Sequence, residues 1–174
     1  MFVKNKKSQT PAAAEENVLL VTFRVGAEEY GLDINAITEV IRPLKITPLP
    51  KMPAFVEGVI NLRGAIIPIV DLRNRFELKD AQNDMRKMRM IVTRGALPAP
   101  GRSAGLLGLV VDNVDEVVSV PKKDMAAAPD AAKGRSADFI AAMAKVGERL
   151  IIVLDITRIL SQQERRALAE ASNG

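Results

Sequence analysis

Few side chains in this sequence are equipped for chemistry. Its 174 residues include no histidine and no cysteine, which removes the commonest general base, thiolate nucleophiles, disulfides and Cys/His metal sites. Carboxylates and guanidinium groups remain. Asp71 and Asp155 each close an apolar run, Ala65-Ile66-Ile67-Pro68-Ile69-Val70 and Arg149-Leu150-Ile151-Ile152-Val153-Leu154. A carboxylate pair can do acid–base work, but each aspartate also stands where it can cap the helical turn that follows. Repetition at matching positions reads as architecture, so no catalytic residue, cofactor or metal is expected. Arg63 is different. It lies in Asn61-Leu62-Arg63-Gly64, a polar corner between two apolar runs. Its planar fork of donors there suits a carboxylate. An exposed pair of this kind contributes roughly 0–1 kcal/mol. Its value would lie in fixing a surface for a partner.

The elements that must position these residues follow from composition and pattern. Apolar residues make up 48% of the chain and aromatic ones 3%. The core must therefore be aliphatic, and its Val and Ile content favours strands. Strands are expected at 18–25, from Tyr30, at 39–41, 58–62, 65–71, 88–93, 106–111, 114–120, 139–146 and 149–154. Asp33 should cap a short turn at 34–37. Four prolines between 43 and 53 make a stiff connection. Pro68 cannot donate to a ladder and places its strand at an edge or a bulge. Residues 72–76 form one helical turn. An amphipathic helix spans 156 to about 171, with Ile159, Leu160 and Leu168 buried. Residues 1 to about 16 are polar and aperiodic and read as a disordered leader.

The excess of 25 basic over 21 acidic residues is spread along the chain. Its densest cluster, Arg86-Lys87-Met88-Arg89, has no interleaved aromatics, so nucleic-acid binding is not expected. No apolar run approaches about 18 residues, and the N-terminus lacks a hydrophobic signal region. A cytoplasmic protein is expected.

A weak repeat organises the chain. Phe55 to Leu62 lies over Phe139 to Val146, and Ala65 to Leu72 over Arg149 to Ile156, at an offset of 84 residues. Gly31-Leu32 matches Gly108-Leu109, and Glu39-Val40 matches Glu116-Val117, at an offset of 77. Two ordered matches argue for two similar β units of about five strands each, which suggests small closed barrels packed on one another. The corner itself does not recur: the second copy has Lys145-Val146-Gly147-Glu148 there. That absence points to a task for Arg63 specific to the first half.

Taken together, "PAFVEGVINLRGAIIPIVDLRNRF", "YGLDINAITEVIRP", "LGLVVDNVDEVVSVP" and "FIAAMAKVGERLIIVLDITRIL" resemble the CheW-like domains, the coupling proteins of bacterial chemotaxis arrays. The resemblance covers roughly residues 18–160. It implies a mostly β fold of two five-stranded SH3-like barrels, with short helices and a C-terminal helix. The first barrel would be about 24–87 and the second 17–23 plus 88–160, with a helix and tail at 161–174. It further implies a non-enzymatic adaptor between chemoreceptor cytoplasmic tips and the regulatory domain of the histidine kinase CheA, recruited to membrane-associated arrays. Self-association in rings is within such a protein's reach. The alternative is an adaptor of another chemosensory pathway, governing twitching motility or development. Residues implied in partner contact are Arg63, Glu39, Asn61, Gly64 and Gly58, together with Ile37, Val40 and Val110, whose plainer role is core packing. Two departures from the family pattern are the long Pro-Gly loop at 97–104 and Ala141-Ala142 in place of Arg-Gly.

Overall fold

The computed structural model describes residues 16–78, 84–97, 105–127 and 137–173. The expected leader, apart from Glu16, and most of the 97–104 loop lie outside them. The strands are Asn17–Val25 (β1), Glu28–Asp33 (β2), Ile37–Ile41 (β3), Val56–Leu62 (β4), Ala65–Asp71 (β5), Arg89–Arg94 (β6), Leu106–Val111 (β7), Asn113–Pro121 (β8), Met125–Ala126 (β9), Ile140–Val146 (β10) and Arg149–Leu154 (β11). Two helices, Leu72–Arg75 (α1) and Gln162–Asn173 (α2), complete the regular elements with short 3-10 turns. The fold is mostly β and consists of two SH3-like units. One sheet runs β8-β1-β2-β11-β10-β9 and the other β3-β6-β7-β5-β4.

Sheet membership differs from the partition expected at residues 24 and 88. β2 stays with β1, and β6 and β7 join β3, β4 and β5. Local hairpin geometry decides this. Val25 faces Glu28 across a tight turn at Gly26, whose φ of 64° suits it. Splitting that hairpin between units would break a complete short-range ladder. Each unit thus borrows a hairpin from the other half of the chain, and the two units interlock.

The duplication extends to backbone detail. In the two parallel pairings Gly31 faces Val153 and Gly108 faces Ile69. Register shifts fall between Val56 and Gly58 in β4 and between Ile140 and Ala142 in β10. A second equivalent pair of shifts involves Ile37 and Glu39 in β3 and Val114 and Glu116 in β8. Thr47 bridges Val59 as Ala126 of β9 pairs with Met143. The sixth strand of the first sheet is therefore the counterpart of that bridge, which makes the proline-rich connection part of the second unit.

Pro68 is not at an edge, because β5 lies between β4 and β7. Val59, opposite Pro68, directs both its backbone groups to Thr47, at 2.8 and 3.0 Å. Val59–Pro68 is thus a pair without mutual hydrogen bonds, and the proline nitrogen points away from β4. On the other side the β7 ladder begins only at Ile69. The missing N–H interrupts neither ladder.

The scarce aromatics gather between the units. Phe23, Tyr30, Phe76 and Phe139 stack in sequence, with centroids 6.0, 5.0 and 5.1 Å apart. Burial, and secondarily the charge of Glu28, pushes the Tyr30 phenol up to about 12. Around this row packs the largest apolar cluster, including Leu32, Val70, Ile91, Leu109 and Leu168. Each unit also has a core of its own, Leu20, Val118, Ile151 and Val153 in one, Ile60, Ile67, Ile69 and Met90 in the other. Each such side chain, once buried, contributes about 1.5–3 kcal/mol.

The C-terminal helix is interrupted. A 3-10 turn at Ile156–Arg158 is capped by Asp155, and α2 starts afresh at Gln162. Ser161 and Glu164 form a reciprocal capping box: the Glu164 N–H donates to Ser161 Oγ at 3.0 Å and the Ser161 N–H to Glu164 Oε1 at 2.8 Å. The apolar period runs through both pieces, which is why Ile159, Leu160 and Leu168 are buried as expected.

Candidate protein-interaction site

The corner between β4 and β5 is a two-residue turn in which Arg63 and Gly64 both have positive φ, 51° and 88°. Such turns match the twist of the flanking strands, and asparagine and glycine are their preferred residues. Asn61 Oδ1 accepts a hydrogen bond from the Gly64 N–H at 2.9 Å and holds the turn. The Arg63 guanidinium donates to Glu39, with Arg63 69% exposed. Glu39 is on β3 and Arg63 follows β4, the two opposite edges of that sheet. Their ion pair draws the edges together. An arginine in left-handed backbone costs about 1 kcal/mol or more relative to glycine. Arg63→Asn should therefore raise stability by about 0.5 kcal/mol while deleting the guanidinium, measured by urea denaturation.

The structure divides the remaining expected site residues. Val40 is 39% exposed beside Glu39, and Ile37 is half-buried against the main core. Val110 is 4% exposed and packed with the core of its unit, so it serves packing and offers no contact surface. Gly58 is also buried. A Cβ there would lie 2.5 Å from the Thr47 carbonyl oxygen, which assigns this glycine to backbone approach. Gly64 has open space around it.

A second corner was missed in the sequence. Glu116, the counterpart of Glu39, accepts a hydrogen bond from Arg149 Nη1 at 2.8 Å. Arg149 Nη2 and Nε donate to Glu29 at 2.5 and 3.2 Å. The Glu29 side chain is 7% exposed. The Arg149 hydrogen bond holds its carboxyl below the usual range against the opposing effect of burial. The same bond raises the Arg149 guanidinium. The pairing thus recurs, with the arginine two positions along in the repeat and on the interior strand β11, so Arg63 is not unique in tying its hairpin to the strand that carries the equivalent glutamate. What distinguishes Arg63 is availability: Arg149 is committed to two carboxylates, whereas Arg63 is more exposed and donates to Glu39 alone among the described residues. The signal was legible in the Glu39–Glu116 match.

Comparison with known proteins fits this pseudo-symmetric pair of units. The CheW-like domain model matches residues 19–164. The chain belongs to the CheW-like family. It is 34% identical over 158 residues to the chemotaxis protein CheW of Treponema pallidum, covering 91% of each. It is 32% identical to the CheW of Klebsiella aerogenes, covering 82% of this chain and 81% of that one. Among solved structures it matches the scaffolding protein TtCheW from Thermoanaerobacter tengcongensis with a TM-score of 0.74 and 30% identity, covering 86% of this chain and 96% of that one. The Asn61–Gly64 corner lies well inside the CheW-like region. Among the described residues no cluster of acidic side chains could hold a metal ion. None of the helices there is long and apolar enough to cross a membrane.

Proposed function

We propose that this CheW-like chain is a non-enzymatic adaptor that couples chemoreceptor cytoplasmic tips to the regulatory domain of the histidine kinase CheA. It would be recruited from the cytoplasm to receptor arrays, and would transmit signal by the relative placement of partners. The family relationship supports the scaffold role. The observation that carries the site is Arg63: an exposed guanidinium is kept at a backbone position where asparagine or glycine would be more stable. A charged group retained against local preference is accounted for by a partner's carboxylate, for which its remaining donors suffice.

Isothermal titration against the CheA regulatory domain tests this reading. The wild type should bind saturably. Arg63→Asn should stay folded and lose affinity by about 10-fold, the size of one interfacial charge-assisted bond. Glu39→Ala should lose less, because it leaves the guanidinium in place. Unchanged affinity for both variants would move the corner from the kinase to the receptor contact. Absence of wild-type binding would refute the kinase as partner.

A further inference from the structure

Folding gathers cations that the sequence spreads out. β3 pairs with β6 so that Ile41 faces Met90. Arg42, next after Ile41, and Arg89, just before Met90, therefore stand at the same end of that strand pair. Ile41, Ile46 and Met88 all pack against the core of this unit, and Thr47 is fixed to Val59 by two backbone hydrogen bonds. Lys45 and Lys87, chain neighbours of Ile46 and Met88, are thereby held on the rim of the same core. Arg86 completes the group. The Arg89 guanidinium donates to the carbonyls of Arg86 and Met88 at 3.0 and 2.8 Å. The Lys87 N–H donates to the Asp84 carbonyl at 3.0 Å. The turn that displays Arg86 and Lys87 is thus held in place by its own backbone groups.

Elsewhere arginines are neutralised: Arg24 by Asp115, Arg63 by Glu39, Arg73 by Asp71, Arg75 by Glu164, and Arg149 by Glu29 and Glu116. On the rim only Arg86 is, by Asp84. Arg42, Lys45, Lys87 and Arg89 have no carboxylate partner among the described residues, and all but Arg89 are exposed. Like charges gathered at one sheet edge repel one another and lower stability. Keeping them there is accounted for by an anion from outside the chain. We propose that this rim is a docking surface for an acidic segment of a protein partner, one that brings a carboxylate to each unpaired cation. The surroundings favour carboxylates over other polyanions. Single-stranded nucleic acid is held on aromatic platforms, but Phe23, Tyr30, Phe76 and Phe139 are stacked between the units and Phe55 lies against Arg75. Binding in a lipid interface uses an amphipathic helix, whereas the rim is built of strand ends and loops.

The probe is an octaglutamate peptide titrated into the full chain by fluorescence anisotropy, with octaglutamine as the neutral control. The wild type should bind octaglutamate saturably, and less tightly as salt rises. A rim variant carrying Arg42→Gln, Lys45→Gln and Lys87→Gln should lose about 10-fold in affinity. A second variant, with Lys123→Gln, Lys145→Gln and Arg166→Gln, removes the same charge from exposed positions off the rim and should lose less than about 2-fold. In urea the rim variant should be at least as stable as the wild type, because repulsion is relieved; a merely structural role would lower its stability. Carbodiimide coupling of octaglutamate to lysines of the wild type needs no variant, and its adducts should map to Lys45 and Lys87. Equal losses in the two variants would mean that net charge alone attracts the peptide, and would overturn the proposal. So would adducts concentrated at Lys123 and Lys145, or no binding by the wild type. Tighter binding of a thymidine octanucleotide or of phosphatidylserine vesicles would overturn it in favour of nucleic acid or lipid. None of these measurements involves the kinase, so this proposal and the adaptor reading fail separately.

Discussion

Arg149→Met should destabilise the protein by about 2 kcal/mol at neutral pH, with most of the loss arising from Glu29. The wild-type guanidinium occupies both Glu29 oxygens while that side chain is 7% exposed. Removing it strands a buried carboxylate, which in fully buried pairs costs about 3–5 kcal/mol. Arg149 retains 39% exposure, so water takes up part of the deficit and the lower figure applies. The pH dependence follows from the direction of the shift. In the wild type Glu29 is held below its ordinary value of 4.5, so its contribution is present above that value and disappears as pH falls through the lowered one. In the variant the stranded carboxyl is raised instead and takes up a proton first. The stability gap should therefore be widest at neutral pH and narrow in acid. Urea denaturation at pH 7 and pH 4 measures it. Adding Glu29→Gln should restore much of the loss at pH 7, because the buried charge is then gone. A gap that widens in acid would exclude this account.

That network also shows where sequence reading stopped. The strands were legible because aliphatic runs and turn residues alternate at short range, and the duplication was legible because loops alone separate its two offsets. Asp33, Asp71 and Asp155 cap the turns expected of them. Sheet membership was not legible, since a strand's own residues do not say which distant strand it pairs with. Pro68 showed the limit of a local rule: its nitrogen is harmless in an interior strand because Val59 turns its groups to Thr47. For the candidate site, Arg63 and Glu39 were named together through the family resemblance, and the structure pairs them. Val110 takes the plainer of its two roles, core packing, a choice its sequence left open because an apolar residue on a strand carries the same pattern whether it lines a groove or fills a core. Arg149 was missed because the repeat was compared identity by identity, whereas the ion pair survives a two-residue displacement. The aromatic row was invisible, as its members are scattered from Phe23 to Phe139 and meet only through the interlocked hairpins.

Gly58→Ala should cost about 3 kcal/mol, the largest loss expected from adding a single methyl group to this chain. Gly58 has a φ of 149°, and an added Cβ would stand 2.5 Å from the Thr47 oxygen and 2.8 Å from the Thr47 carbonyl carbon. Those atoms are backbone, fixed by both Thr47–Val59 hydrogen bonds, so no rotamer change relieves the clash. Gly64→Ala is the control: its φ is 88° but nothing lies within 4 Å of its Cβ, and about 1 kcal/mol of backbone strain is all it should lose. The second unit supplies a natural comparison, because Ala142 occupies the position equivalent to Gly58 at the same register shift. Ala142 is not among the residues with positive φ, so the demand for glycine at 58 comes from its φ of 149° together with the close passage of the Thr47 segment. Shifting that segment would move β4 against β3 and loosen the Glu39–Arg63 link at the far end of the same hairpin. Gly58→Ala should therefore lower kinase-domain affinity as well as stability, whereas Gly64→Ala should change both only slightly. Equal losses at the two glycines would mean that φ alone sets the cost and that the Thr47 bridge yields freely, which would detach the proline-rich connection from any part in shaping the corner.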